Sequence, residues 1–241
     1  MPARIAKGEL EGKMKCRIWR KLHAEEARRF DQSYALMEKH PELDLADAFG
    51  VVQSGKTVAE FLAKKARGKV KTEIKEARSA LPGEEIDRFL NALKEGQQEL
   101  AIVLGDRTLA DKLMEVQPLA FVFERAGRLE KLQVVVLGEK TTWDRLAATL
   151  ERDPKLMRKP VAVQRQPDRR PVADPRAFLP HLGRTVRVEL RNGIALAHKL
   201  NSVGPFDVLL GTETGELFVP LHAMLRWSDA DATAAPGPSA G

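Results

Sequence analysis

The chain has 241 residues, of which 43% are apolar, 31% charged and 5% aromatic, and its 40 basic against 34 acidic side chains give a formal charge of +6. That length holds one large domain or two small ones, and few aromatics among many charges favour helices with solvated faces over a large enzyme core. Cys16 is the single cysteine, which excludes an intramolecular disulfide and a cysteine-built zinc site, while the positive charge permits a polyanion partner or marks a merely solvated basic surface.

The N-terminal MPARIAKGELEGKMK lacks the apolar core of a signal peptide, and no run of about 18 apolar residues offers a membrane span. A soluble cytoplasmic protein without a membrane partner is expected. From about Glu9 to Lys39 a helix is predicted, with Ile18, Leu22, Phe30, Tyr34 and Met37 on its apolar stripe. His40-Pro41 ends it, because the residue before proline avoids the α region. Helices follow from Leu43 to Gln53, from Thr57 to about Ala80, and, after Pro82-Gly83, from Glu84 to about Leu104 through Ile86, Phe89, Leu90, Leu93, Leu100 and Val103.

After Pro118 the period changes. Phe121 and Phe123 alternate with Val122 and Glu124, Ala126-Gly127 offers a turn, and Leu132 to Leu137 is a β-branched run, together a predicted hairpin. Residues 142 to 152 are expected to be helical through Trp143, Leu146 and Leu150, and Val161 to Val163 is expected as a further short strand. Gln164 to Pro175 mixes proline and charge without apolar period and is placed at the domain boundary. The expected fold class is α+β: a helical region over 1–116, a mixed α/β segment packed on it over 117–165, a linker and short helix over 166–183, a small β domain over 184–227, and a disordered tail over 228–241.

Gly50 to Thr57 spells G-V-V-Q-S-G-K-T, the letters of a phosphate-binding loop. That chemistry needs a buried strand immediately before the loop, whereas Leu43 to Phe49 suits a helix. Thr57 and Glu60 fit a capping box and Gly55 a turn. Two helices around a glycine turn also permit DNA reading, with a basic patch at Lys64, Lys65, Arg67, Lys69 and Lys71; a solvated helix face is the plainer alternative.

The strongest local signal lies at the C-terminal end. Val186, Val188 and Leu190 alternate with Arg187, Glu189 and Arg191, and Asn192-Gly193 fits a two-residue primed turn before Ile194, Leu196 and Leu200. Gly204-Pro205 bends the chain ahead of Phe206 to Leu210, Thr214-Gly215 turns again, and Leu217 to Val219 with Ala223 to Trp227 complete five short strands, a small, strongly bent open barrel. Through V-R-V-E-L-R-N-G-I-A-L from Val186, Ser202, Phe206, Val208 to Leu210, and V-P-L-H-A-M from Val219, this stretch resembles the Hfq family of bacterial Sm-like RNA chaperones. About a sixth of the chain is covered.

The resemblance implies a five-stranded Sm-like domain that binds single-stranded RNA, acts in post-transcriptional regulation and joins its copies edge to edge into a homo-oligomeric ring. Phe206 falls at the family's base-stacking position and His222 at its uridine-binding histidine. Asn192, Gly193, Arg184, Arg187 and Arg191 complete the implied RNA contacts, with Arg165, Arg169, Arg170 and Arg176 as a further positive track. The chain departs from the family at Leu221, where a lysine is expected, at Pro220 and Glu189, each in place of a tyrosine, and at Ala195, in place of a lysine. These departures keep a second reading open, an adaptor or oligomerisation module without RNA chemistry whose N-terminal helices recruit a protein partner. A nucleotide-binding or DNA-binding regulator is the third. The five histidines lack metal-ligand spacing and no catalytic constellation stands out, so neither an enzyme nor a cofactor is expected.

Overall fold

The computed structural model describes residues 13–230. The chain divides into two bodies, Met1–Lys69 and Val70–Gly241, and among the described residues no helix is long and apolar enough to cross a membrane. The first body holds helices α1 (Lys13–Leu22), α2 (Ala24–Lys39), α3 (Leu45–Ser54) and the start of α4 (Val58–Ser79). The single helix expected from Glu9 is broken at His23, whose backbone leaves the helical region (φ −124, ψ 49) while its ring stacks on Trp19 at 5.0 Å. Glu9 and the side chain of Cys16 lie outside the described residues.

Asp44 caps α3 by accepting from Asp47 N at 2.6 Å, and Gly55 ends it at φ 65, a conformation that glycine adopts without steric cost. Thr57 and Glu60 then form the reciprocal capping box: Thr57 N donates to Glu60 Oε2 at 3.1 Å and Glu60 N to Thr57 Oγ1 at 3.3 Å. A helix, not a strand, precedes the glycine turn, so Gly50 to Thr57 is punctuation between α3 and α4.

The second body is mixed helix and sheet. After α5 (Glu84–Gly96) come β1 (Leu100–Val103), β2 (Thr108–Asp111), β3 (Leu113–Val116), β4 (Ala120–Phe123), β5 (Gly127–Glu130) and β6 (Val136–Glu139). Three expectations are corrected here. The helix predicted to reach Leu104 stops at Gly96, where Gln97 turns left-handed (φ 49), and Leu100 to Val103 forms a strand buried on both faces. Residues 100–116, expected within a helical region, therefore supply three strands. The Phe121 hairpin forms with β5, but the β-branched run beyond it becomes β6 and pairs with β1.

Helix α6 (Lys140–Ala147) is shorter than the predicted 142–152, since Glu151–Arg152 forms β7 against β9. Val161 to Val163 is not a strand; Val161 N donates to Arg191 O instead. After helix α7 (Pro154–Arg158) and a 3-10 helix at Pro175–His181 come β8 (Thr185–Leu190), β9 (Ile194–Val203), β10 (Asp207–Gly211), β11 (Glu216–Pro220) and β12 (Met224–Asp229). Ser228 and Asp229 thus end a strand, and the rest of the expected tail from residue 231 lies outside the described residues. The reverse turn after β8 is a three-residue loop, Arg191 to Gly193. Gly193 N donates to Leu190 O and only Gly193 takes positive φ (82), as in a type I turn closed by a glycine bulge rather than a primed pair.

Strand order runs β12-β8-β9-β10-β11-β6-β1-β2, with β3-β4-β5 as a second sheet. The sheet does not close into a barrel. With β2 and β3, separated by Lys112, taken as one long strand, β1 to β6 form a first five-stranded module that spans both sheets, and β8 to β12 form a second inside the larger one. Each has its last strand beside its first, then the long bent strand, then a hairpin. The registers coincide: Ile102 lies between Leu109 and Leu137 as Val188 lies between Leu196 and Trp227, and Phe121 faces Leu129 as Val208 faces Val219. Hydrogen bonds outside the ladders repeat as well. Gln117 N donates to Ala120 O as Gly204 N does to Asp207 O, and Lys131 N donates to Leu119 O as Leu221 N does to Phe206 O.

The modules join through β11 and β6, with Leu217 opposite Gly138 and Phe218 opposite Leu137. A Cβ at Gly138 would stand 2.7 Å from Leu217 Cδ2 and 3.2 Å from Glu216 O, so a larger residue at this joint has to displace the Leu217 side chain. The edge of β11 that the family resemblance gives to a neighbouring subunit is thus taken by the same chain, and the boundary expected at Gln164 to Pro175 lies inside the second body. Both faces of the joint are covered: Ala101, Val103 and Val136 join the core of Val188, Leu196 and Leu210, while Leu209 and Phe218 join that of Ile86, Leu90, Phe121 and Leu137. Double coverage explains why β1 and the Val134 to Leu137 run that leads into β6 are continuously apolar instead of alternating.

Candidate nucleic-acid interface

The equivalence of the two modules brings Leu119 of the first and Phe206 of the second to one cavity of about 480 Å³. Each follows a proline, Pro118 or Pro205, at the tight turn before the hairpin, and this turn turns the next side chain outward: Leu119 is 76% exposed and Phe206 56%. Phe206 is therefore not a core aromatic. Arg78, from the second-body end of α4, sets its guanidinium carbon 4.9 Å from the Phe206 ring centroid, within range for a cation over a π face.

Arg78, Arg128, Lys131, Arg165 and Arg170 line this cavity against Glu130 and Asp207. Arg78 donates to Ala173 O at 3.0 Å and Arg170 to the carbonyls of Gln164 and Arg165. Neither of these anchors is a carboxylate; the acids near the cavity's cations are Asp174, which attracts Arg78, and the lining Glu130 and Asp207. Burial, then the proximity of Arg170, lowers the pKa of Arg78; burial alone lowers that of Arg170. Lys131 is likewise lowered by burial, against the attraction of Asp207 and Asp87. Clustered, partly desolvated cations beside an exposed ring favour an anion that also carries an aromatic face.

His222 lines the same cavity, but its ring bonds the first module: Nε2 donates to Val134 O at 3.2 Å. The carbonyl can only accept, so Nε2 carries the proton. Burial, with Arg170 and Arg191 nearby, pushes the imidazole down to about 4, which leaves it neutral at pH 7. Asp207 is the opposite case. Its Oδ1 is buried without a hydrogen-bond partner, and burial pushes the carboxyl up to about 7.

The remaining sequence-predicted contacts lie elsewhere. Arg191 and Asn192 fasten the modules together, Arg191 Nη2 donating to Gln133 O at 2.7 Å and Asn192 Nδ2 to Leu104 O at 3.3 Å, and both residues are buried. Gly193 is packed so closely that a Cβ would meet Asp153 O at 2.7 Å. Arg187 pairs with Glu151 at 2.5 Å in a separate cavity that also holds the Arg226–Glu189 pair, so charge is balanced there. Arg184 stands 3.8 Å from Asp229. Of the linker arginines, Arg165 and Arg170 reach the Phe206 cavity, whereas Arg176 pairs with Asp174. The basic patch Lys64, Lys65, Arg67, Lys69 and Lys71 is exposed along α4, with Lys65 held by Asp47 at 2.5 Å.

Sequence reasoning missed Arg78, Arg128 and Lys131. A signal for Lys131 was present: L-A-x-K-L-x-x-V-x-P occurs from Leu109 to Pro118 and again from Leu196 to Pro205. Aligning these copies and the hairpins that follow sets Lys131 at the place of Leu221. No family model, no curated protein and no solved structure matches the chain.

Proposed function

We propose that the protein binds single-stranded RNA, with a base stacked on Phe206 and the backbone phosphates met by the cations around it, and that it serves as a regulatory RNA-binding protein built on two Sm-like modules. The observation that carries this reading is the convergence of an exposed aromatic ring with five cationic side chains in one cavity. The strand order and bent long strand of both modules support the Sm-like part, as does the placement of Phe206 at the stacking position that the resemblance implies.

Filter binding to oligo-U and oligo-A at two stated salt concentrations tests it. Stacking on an aromatic is worth roughly 1 to 3 kcal/mol per base, so Phe206→Ala should weaken binding about 5- to 150-fold. Arg128→Ala should reduce the slope of log affinity against log salt by about 1 if that side chain meets a phosphate. Binding undiminished in Phe206→Ala overturns the stacking role. The adaptor reading is favoured by one observation, the engagement of Arg191 and Asn192 in the joint between the modules, and absence of RNA affinity in the unaltered chain decides for it.

A further inference from the structure

Two polar side chains of the second module line the Phe206 cavity, His222 and Asp207, and they differ in what holds them. His222 Nε2 is occupied by Val134 O. Among the described residues no hydrogen bond or ion pair reaches the Asp207 carboxyl: Oδ1 is buried without a partner, and Lys131 and Asp87 act on it only through their charge. A buried polar atom left unbonded costs stability and calls for a physical reason.

The first module shows that the fold does not need this carboxyl. Ala120, at the equivalent position, is fully buried, and the same backbone bond closes the turn before it, Gln117 N to Ala120 O against Gly204 N to Asp207 O. The two turns divide bulk oppositely, a long residue with a small one in the first and a glycine with an acid in the second. A Cβ at Gly204 would overlap Asp207 Oδ1 and stand 2.8 Å from Ile86 Cγ1, so the glycine leaves the room that the carboxyl fills. Because Oδ1 is enclosed there, Oδ2 is the oxygen that a molecule in the cavity meets. Glu130, the other acid of the lining, is exposed, whereas Asp207 is half-buried and directly follows Phe206 in the chain.

We propose that Asp207 reads the base that stacks on Phe206, accepting a hydrogen bond from its exocyclic amino group and so selecting cytosine over uracil. This selectivity rests on the RNA reading above and departs from the family resemblance, which implies a uridine site. Unstacked bases of a single strand offer their Watson–Crick edges to side chains, and a carboxylate that accepts from the cytosine N4 amino group is a recurrent pairing. Uracil sets a carbonyl oxygen in that place, and two acceptors repel. The two pyrimidine rings are alike in size and stack alike on Phe206, so the preference between them reports the edge contact. The five cations of the cavity meet phosphates, which position the strand without reading its sequence.

Filter binding of the full chain to oligo-C and oligo-U of equal length, at one stated salt concentration and about pH 8, decides it. That pH lies above the value of about 7 to which burial pushes Asp207, so the carboxyl is ionised. Oligo-C should bind at least about fivefold more tightly. Asp207→Ala should bring the ratio close to one, mainly through lost affinity for oligo-C, with a urea midpoint no lower than that of the unaltered chain. Phe206→Ala should weaken both oligomers. Equal affinities in the unaltered chain, a preference for oligo-U, or a preference for oligo-C that survives Asp207→Ala overturns base reading by Asp207 while RNA binding stands. A lower urea midpoint in Asp207→Ala also overturns it, because the carboxyl then serves the fold. Binding of neither oligomer overturns the RNA reading and this selectivity together.

Discussion

The two five-stranded modules follow the same strand order in the same register, yet their equivalent surface positions carry different chemistry. Phe206 stands where the first module has Leu119, Asp207 where it has Ala120, and Leu221 and His222 where it has Lys131 and Leu132. The shared features are those the backbone needs: alternation of apolar side chains, a proline at the tight turn, a strand long enough to bend from one neighbour to the next. Side chains on the turn and the following 3-10 segment are not fixed by those needs. At their common cavity the two modules therefore contribute different parts, the second a ring and the first a lysine and an arginine.

The largest expected effect probes whether the modules are one folding unit. Phe218 belongs to the second module but is buried in the core of the first, edge-on to Phe121 at 5.8 Å. Phe218→Ala should cost about 3 to 5 kcal/mol through lost burial and a residual cavity, and urea unfolding followed by fluorescence and circular dichroism should remain a single coincident transition for the second body. Two separated transitions, with only one displaced by the substitution, would break the comparison by making the modules independent.

Smaller, and opposite in sign for two neighbours, are the effects of pH. Asp207 is raised from 3.8 to about 7 and His222 lowered from 6.5 to about 4. Stability from Asp207 is present below pH 3.8 and lost as pH rises through 7; stability from His222 is present above pH 6.5 and lost as pH falls through 4. Between about 4 and 6.5 the folded chain holds its proton on Asp207 and the unfolded chain on His222, so the two slopes cancel. Asp207→Asn should unmask a stability that rises with pH across this window, by up to about 1.4 kcal/mol per pH unit. His222→Gln, which keeps a donor for Val134 O, should unmask the reverse. Urea midpoints from pH 4 to 7 read both; parallel profiles for the two variants would remove the opposition.

Much of the second module was legible, because its strands alternate, its turns carry Asn-Gly and Thr-Gly, and one face of β8 is polar. The first module was not. Leu100 to Val103 and Val134 to Leu137 are covered on both faces, so the alternation that marks a strand is absent, and Leu100 and Val103 also fit the helical spacing of α5. The cavity was half legible. Phe206 and His222 stood in a recognisable local pattern, whereas Arg78 and Lys131 reach the cavity only because α4 and the first module pack against the second. Arg191 and Asn192 looked like surface residues of a hairpin turn, since no local feature announces that another module covers that turn.

The smallest expected effect measures the asymmetry of the cavity directly. Leu119 and Phe206 occupy equivalent turns and line the same space, so a cavity that gripped RNA through apolar contact alone would respond to truncation at either. Stacking needs a π face, which only Phe206 supplies. Leu119→Ala should therefore shift affinity for oligo-U or oligo-A by no more than about 0.5 kcal/mol, and stability by a similar amount because the side chain is exposed, while Phe206→Ala costs roughly 1 to 3 kcal/mol in affinity. The double variant should match Phe206→Ala within about 0.5 kcal/mol, since residues without a shared contact add. An equal loss at both positions in the same titration would mean that the cavity is a symmetric apolar slot and that the ring contributes no more than its area.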